Sequence, residues 1–141
     1  MTASRQVTIG RHHAVLEPSG LLVFTFDGVI HASDVATYVT LRDTFLAGLP
    51  CVLTLVDLRS LEGIEPGSRR DIASMRESRP QATAFIGGTF QLRVISQMVV
   101  KAIRIFGGRK LAFRFFEDEL TARAWLEEMG RAYRGIATGP G

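Results

Sequence analysis

The chain has 141 residues, of which 46% are hydrophobic and 22% charged, and a formal net charge of +3. That length fits one domain of common size, and that balance supports an ordinary buried core and excludes global disorder. The mild positive charge permits an anionic partner but leaves no nucleic-acid footprint, because the aromatics fall at core positions rather than interleaving with Lys and Arg.

No apolar run approaches the ~18–20 residues of a membrane helix. The N-terminal MTASRQVTIG lacks the apolar centre of a secretory signal, so the expectation is a cytoplasmic protein with no membrane span. Cys51 is alone, which rules out an internal disulfide and a Cys-based metal site; at the start of an apolar strand it reads as a small buried hydrophobe.

In chain order, HHAVLEP (His12–Pro18) and LLVFTFDG (Leu21–Gly28) are strand-like runs around a Ser-Gly turn, which predicts a hairpin. From His31 to Leu49 the period becomes helical, with Val35, Tyr38, Val39, Leu41, Phe45, Leu46 and Leu49 on a stripe and His31 or Ser33 at the start. Pro50 breaks that helix, and Val52–Val56 is a continuous apolar run, the pattern of a central strand covered on both faces. VDLRSLEGIEPGS (Val56–Ser68) reads as a turn that closes the strand and launches a short polar helix through Arg79. Ser68 stands as its N-cap, and Pro66 suits a first helical position. ATAFIGG (Ala82–Gly88) is a short strand. Phe90–Phe106 is a strong helix capped by Gly107-Gly108, KLAFRFF is the last strand, and EDELTARAWLEEM is the last helix. On that last helix Leu120, Ala124 and Leu126 share the core face, with Trp125 largely buried beside them. The order β-β-α-β-α-β-α-β-α predicts an α/β fold: a single mixed, mostly parallel sheet with an N-terminal hairpin and crossover helices. Residues 1–141 form one domain, ordered from about 8 to 132, with a flexible tail over 133–141.

Several residues invite a chemical reading. Asp57 lies at the carboxyl end of a central strand, where open α/β sheets bind ligands; alternatively its carboxylate serves the backbone N–H groups of its own turn. Gly87 and Gly88 stand between a strand and a helix start, where backbone N–H groups can receive an anion. They lack the spacing of a phosphate-binding signature, so a tight turn with Thr89 as N-cap is the plainer reading. His12, His13 and His31 show no ligand spacing and no nucleophile elbow appears, so no metal, cofactor or catalytic set is expected. Arg42 falls inside the apolar stripe of its helix and must pair or snorkel outward, with snorkelling expected and an interface or ligand contact as the alternative. Arg59, Arg69, Arg70, Arg76 and Arg79 read as a solvated face or as a surface for an acidic partner. The Phe90–Phe106 helix has a narrow polar stripe (Arg93, Gln97, Lys101, Arg104) and a wide apolar arc. Its shoulder Val94–Met98–Ile105 marks a partner or ligand surface unless the short second helix leans over it.

The segments FDGVIHASDVATY (Phe26–Tyr38), LTLVDLRSLEG (Leu53–Gly63), ATAFIGG and FRFFEDELTARAWLEE (Phe113–Glu128) frame most of residues 10–130. In that order they resemble the STAS fold of anti-sigma-factor antagonists and sulphate-transporter tails, and more closely the bacterial SpoIIAA-like branch related to the lipid-binding CRAL-TRIO fold. In the phosphorylated antagonists the turn after the central strand ends in Asp-Ser-Ser-Gly, and phosphate on a Ser abolishes partner binding. On that pattern Glu65 stands for the Asp, Pro66 and Gly67 for the serines, and Ser68 for the Gly, so the phosphoswitch does not carry over. The resemblance, with the wide apolar helix and the lack of a catalytic set, implies a non-catalytic regulatory or protein-interaction module with a regulatory protein partner, and the apolar shoulder Val94–Met98–Ile105 leads to the expectation of a homodimer through the long helix. Its lipid-binding relatives imply the alternative, a binder of a small apolar or amphipathic ligand. An enzyme using Asp57 and a neighbouring His is the third reading. Fold alone does not choose among these.

Overall fold

The computed structural model describes residues 4–107 and 111–138. The chain runs β1 (Arg5–Ile9), β2 (His12–Leu16), β3 (Leu21–Ile30), α1 (Ala32–Phe45), β4 (Val52–Ile64), α2 (Pro66–Ser74), β5 (Gln81–Ile86), α3 (Phe90–Gly107), β6 (Leu111–Phe116) and α4 (Glu119–Thr138). One six-stranded sheet takes the strands in sequence order. The first three pair antiparallel and β3 to β6 pair parallel. The expected α/β fold with a mixed, mostly parallel sheet and crossover helices is what forms.

Each parallel crossover steps to the next strand in the same direction. Right-handed connections therefore place α1, α2 and α3 on one face, and α4, which follows the last strand, folds back over the other. Alternation along the strands feeds both layers. On β4, Leu53 and Leu55 face α4, while Val52, Val56 and Leu58 face the three crossover helices.

The strand β1 is absent from the sequence expectation. RQVTI lies at the sheet edge with its first four residues not fully buried, so its alternation is weak, and only the register with β2 reveals it. Gly10, at φ 61, begins the two-residue turn that closes this hairpin, at a position that favours glycine.

The larger correction concerns Val56–Ser68. This stretch is not a turn: β4 continues to Ile64 and pairs with the far half of β3, Asp27 against Ser60 and Ile30 against Ile64. Two register shifts interrupt that ladder. The extra residues turn the inward spacing from two into three, so that Leu58, Leu61 and Ile64 are buried while Arg59, Ser60 and Glu62 face out. A period of three in a Gly-containing segment mimics a turn. Pairing with β5 ends at Asp57, so the β3–β4 ribbon extends beyond the rest of the sheet and packs Leu58 and Leu61 with Leu92 of α3.

Helix boundaries also shift. α1 ends at Phe45 rather than near Leu49, and Val39 is 45% exposed rather than part of the buried stripe. α2 begins at Pro66 and ends at Ser74, short of Arg79. On α4 the inward residues are Ala122 and Leu126, with Trp125, Met129 and Tyr133 packed beside them; Leu120 is 82% exposed and Ala124 is exposed. Trp125 is half-buried and lies against Phe116, ring centroids 5.6 Å apart. The expected flexible tail is helical through Thr138, and Tyr133 donates a hydrogen bond to the Gln81 carbonyl at 3.0 Å. Gly108, the Phe106 side chain and residues 139–141, which carried the expected cap, part of the apolar arc and the end of the tail, lie outside the described residues.

Candidate ligand-binding cavity

A cavity of about 230 Å³ lies between the sheet and the three crossover helices. Its floor is one face of the sheet: Phe24 and Phe26 of β3, Val52, Thr54, Val56 and Leu58 of β4, and Gln81, Thr83 and Phe85 of β5. Its walls are Val35, Tyr38 and Arg42 of α1, Ile72 of α2, and Ser96, Val99, Val100 and Ile103 of α3. Interiors usually pack to crystal-like density, so a void of this size follows from the side chains that border it. Thr54 and Thr83 are register neighbours at the middle of the floor, and the buried Ser96 adds a third short side chain from α3.

Two polar clusters border this apolar space. The first joins α1 to the segment before β5. Both oxygens of Glu77 are occupied: Arg42 Nη2 donates to Oε1 at 2.9 Å, Arg79 Nη2 to Oε1 at 2.6 Å, and Arg79 Nε to Oε2 at 2.8 Å. The hydrogen bonds from Arg79 hold the Glu77 carboxyl down at about 2. Arg42 Nη1 donates to the Arg76 carbonyl at 2.7 Å, whereas Arg42 Nε is buried without a hydrogen-bond partner. The expected snorkelling of Arg42 is therefore overturned: an acidic residue 35 positions downstream holds its head inside the fold. Tyr38 lies beside it. Burial raises the phenol's pKa, and the Arg42 charge offsets part of that rise.

The second cluster is His12 with Asp34. His12 is buried, its Nδ1 accepts from the Asp27 backbone N–H at 3.0 Å, and its Nε2 lies 3.2 Å from the Val29 carbonyl and 3.3 Å from Asp34 Oδ2. Asp34 also accepts from the His31 backbone N–H at 2.9 Å, at the start of α1. Both imidazole nitrogens are thus engaged in binding β2 to β3 and α1, which suits a structural role.

The other sequence candidates do not converge. Asp57 accepts from Arg59, through its backbone N–H at 2.9 Å and its guanidinium at 3.0 and 2.7 Å, and this fork lowers its pKa. Ser68 is wholly buried and donates to the Ile30 carbonyl at 3.4 Å. It is not the N-cap of α2: Pro66 starts the helix and Glu65 takes the cap position, so Ser68 falls inside the first turn and ties it to β3. The Glu65 carboxylate instead accepts from the His31 ring at 2.8 Å and the Ala32 backbone N–H at 3.2 Å.

Gly87 and Gly88, at φ 72 and 85, pass so close to β4 that an added Cβ would sit 2.3 Å from Arg59 Cγ and 2.9 Å from Leu58 Cβ. That supports the tight turn, and Thr89 caps α3 by accepting from the Leu92 N–H at 3.2 Å. Val94, Met98 and Ile105 are 38%, 62% and 75% exposed, so α2 does not cover the shoulder of α3. Cys51 is buried, and burial raises its thiol pKa. Among the described residues no group of three or more His, Cys, Asp or Glu is placed to hold a metal ion, and no helix is long and apolar enough to cross a membrane.

Sequence reasoning missed Glu77, Tyr38, Thr54, Thr83 and Ser96 as parts of one site. The available signal is a Thr inside each of two apolar strands, VLTLV and ATAFI.

No protein-family model and no curated protein matches this chain. Among solved structures it is similar to an uncharacterized protein of the DUF3478 family from Shewanella loihica PV-4, described as having a SpoIIAA-like fold. The match has a TM-score of 0.55 at 22% identity and covers 88% of this chain and 92% of that one. The fold is SpoIIAA-like. The expected resemblance to STAS and SpoIIAA-like domains is therefore met at the level of fold. Within a SpoIIAA-like frame the cavity occupies the space between the sheet and its crossover helices, and the exposed shoulder of α3 lies on the outside of that same layer.

Proposed function

We propose that this SpoIIAA-like domain is a non-catalytic module that binds a small apolar or amphipathic ligand between its sheet and crossover helices. The observation that carries this reading is the cavity of about 230 Å³ bordered mainly by apolar side chains, with short Thr and Ser residues at its middle. A cavity of ~150 Å³ lined by apolar groups holds benzene, so this one matches a ligand of about nine or ten heavy atoms. The engaged carboxylate of Asp57 and the doubly bonded ring of His12 favour binding over catalysis. Native mass spectrometry of protein purified from its own cells tests the reading. The expected result is a small adduct that leaves on denaturation and is lost in Thr83→Leu, which fills the floor. A bare wild-type chain whose thermal unfolding is also unmoved by 1-octanol is the contrary result.

A second reading is favoured by the exposed Val94, Met98 and Ile105 on α3, which Phe90 at 83% exposure extends. An apolar patch of this kind suits a regulatory protein partner or a second copy of the chain. Pro66 and Gly67 carry no hydroxyl, and Ser68 is wholly buried, so control of such a contact by phosphate at the α2 turn is not part of the proposal. Met98→Glu should leave the fold intact and, if the wild type is dimeric by light scattering, give a monomer. A wild-type mass of one chain removes the homodimer.

A further inference from the structure

The cavity has a charged end. Arg42 and Arg79 share the single carboxylate of Glu77, so that cluster carries one positive charge more than its acid balances. Arg79 spends its remaining nitrogen on the carbonyls of Leu46 at 2.7 Å and Leu49 at 3.2 Å. Arg42 does not spend all of its own: two nitrogens are bonded and the buried Nε is left over. A buried donor without an acceptor is costly, and a guanidinium edge accepts a carboxylate oxygen in a short, charge-assisted bond. Asp43 influences Arg79 but is exposed, so it does not neutralise the buried side of the cluster. Tyr38 stands against Arg42: burial raises its pKa against the charge and a hydrogen bond of Arg42, so its oxygen accepts from the guanidinium while its O–H remains a donor at neutral pH. Away from Arg42 the lining turns apolar toward Val56, Leu58 and Phe85, and its other carboxylate, Asp34, is engaged by the His31 backbone N–H and by His12.

On the reading that the cavity binds a ligand, we infer that its ligand is a small monocarboxylate, with the carboxylate at Arg42 Nε and the Tyr38 hydroxyl and an apolar tail lying over Val56 and Phe85. The volume holds about nine or ten heavy atoms of the ligand, the size of a medium-chain fatty acid or a phenylalkanoic acid.

The test compares octanoate with 1-octanol, which has the same chain length and no charge, on the ¹⁵N-labelled wild-type protein at pH 7. Titration calorimetry gives the two Kd values, and NMR follows the Arg42 side-chain Nε–H signal, assigned through its own side-chain correlations. The expected result is octanoate binding at least tenfold more tightly than 1-octanol, with a shift of the Arg42 Nε–H resonance that saturates with binding. Equal or tighter binding of the alcohol, or tighter octanoate binding that leaves that resonance unmoved, overturns the carboxylate assignment while the cavity reading survives. Binding of neither probe overturns both.

Discussion

The two faces of the sheet are packed by different rules. Beneath α4, Ala82, Ala84 and Ala122 are fully buried, and Gly130 lies so close to β4 that an added Cβ would stand 2.8 Å from Leu53 Cδ1. Small residues there let the helix backbone approach the strands. Beneath α1, α2 and α3 small residues have the opposite consequence: Thr54, Thr83 and Ser96 border a cavity of about 230 Å³, because aromatic rings and a buried ion cluster hold the helices away. Phe24 meets Tyr38 edge-on at 5.1 Å, and Arg42 and Glu77 bridge α1 to the segment before β5. Small side chains close one layer and open the other, and the difference lies in what supports the helix.

The comparison can be broken most forcefully at its support. Glu77→Gln leaves Arg42 and Arg79 without their shared carboxylate, and removing one member of a buried pair costs about 3–5 kcal/mol. Urea unfolding should show that loss, with the α1–α3 side affected first in amide exchange. The same carboxylate sets an acid limit. Its folded pKa of about 2 lies below the ordinary 4.5, so its stabilisation is fully present above 4.5 and is lost as pH falls from there toward 2. Wild-type stability should decline across that window, and the Glu77→Gln profile should be flatter there.

A next, smaller effect sharpens the contrast between layers. Ala84→Leu forces extra volume under α4 and should cost about 1–3 kcal/mol. Thr83→Leu, one residue earlier and on the opposite face, enters the cavity and should stabilise by about 0.5–2 kcal/mol. Equal losses from both substitutions would mean that the two faces are packed alike. The smallest effect is expected at Met98→Glu, an exposed helix position, where monomer stability should change by no more than ~0.5 kcal/mol.

How far the sequence reveals this follows from range. Continuous runs such as VLTLV and the strong apolar arc of α3 are local signals, and they locate the parallel strands and long helices without fixing the ends of β4, α1 or α4. The far half of β4 reads as a turn because its inward spacing depends on bulges against β3, a partner some thirty residues earlier. Ser68 looked like a cap because its hydroxyl precedes a polar helix, but its acceptor is the carbonyl of Ile30. Arg42 stands out in the sequence as a charge in an apolar stripe. Its resolution required Glu77, which the sequence places in a polar stretch with no mark of burial. The apolar shoulder of Val94, Met98 and Ile105 is legible from the helical wheel, but its exposure depends on where α2 packs, which the wheel leaves open.

Crystals of the wild-type protein under xenon pressure test the central claim most directly, since xenon enters largely apolar cavities of this size without needing a head group. The account predicts xenon density between the sheet and the crossover helices, beside Thr83 and Val100, and its loss in Thr83→Leu. A sheet-to-helix layer filled by repacked side chains, with no xenon on that face, would contradict it.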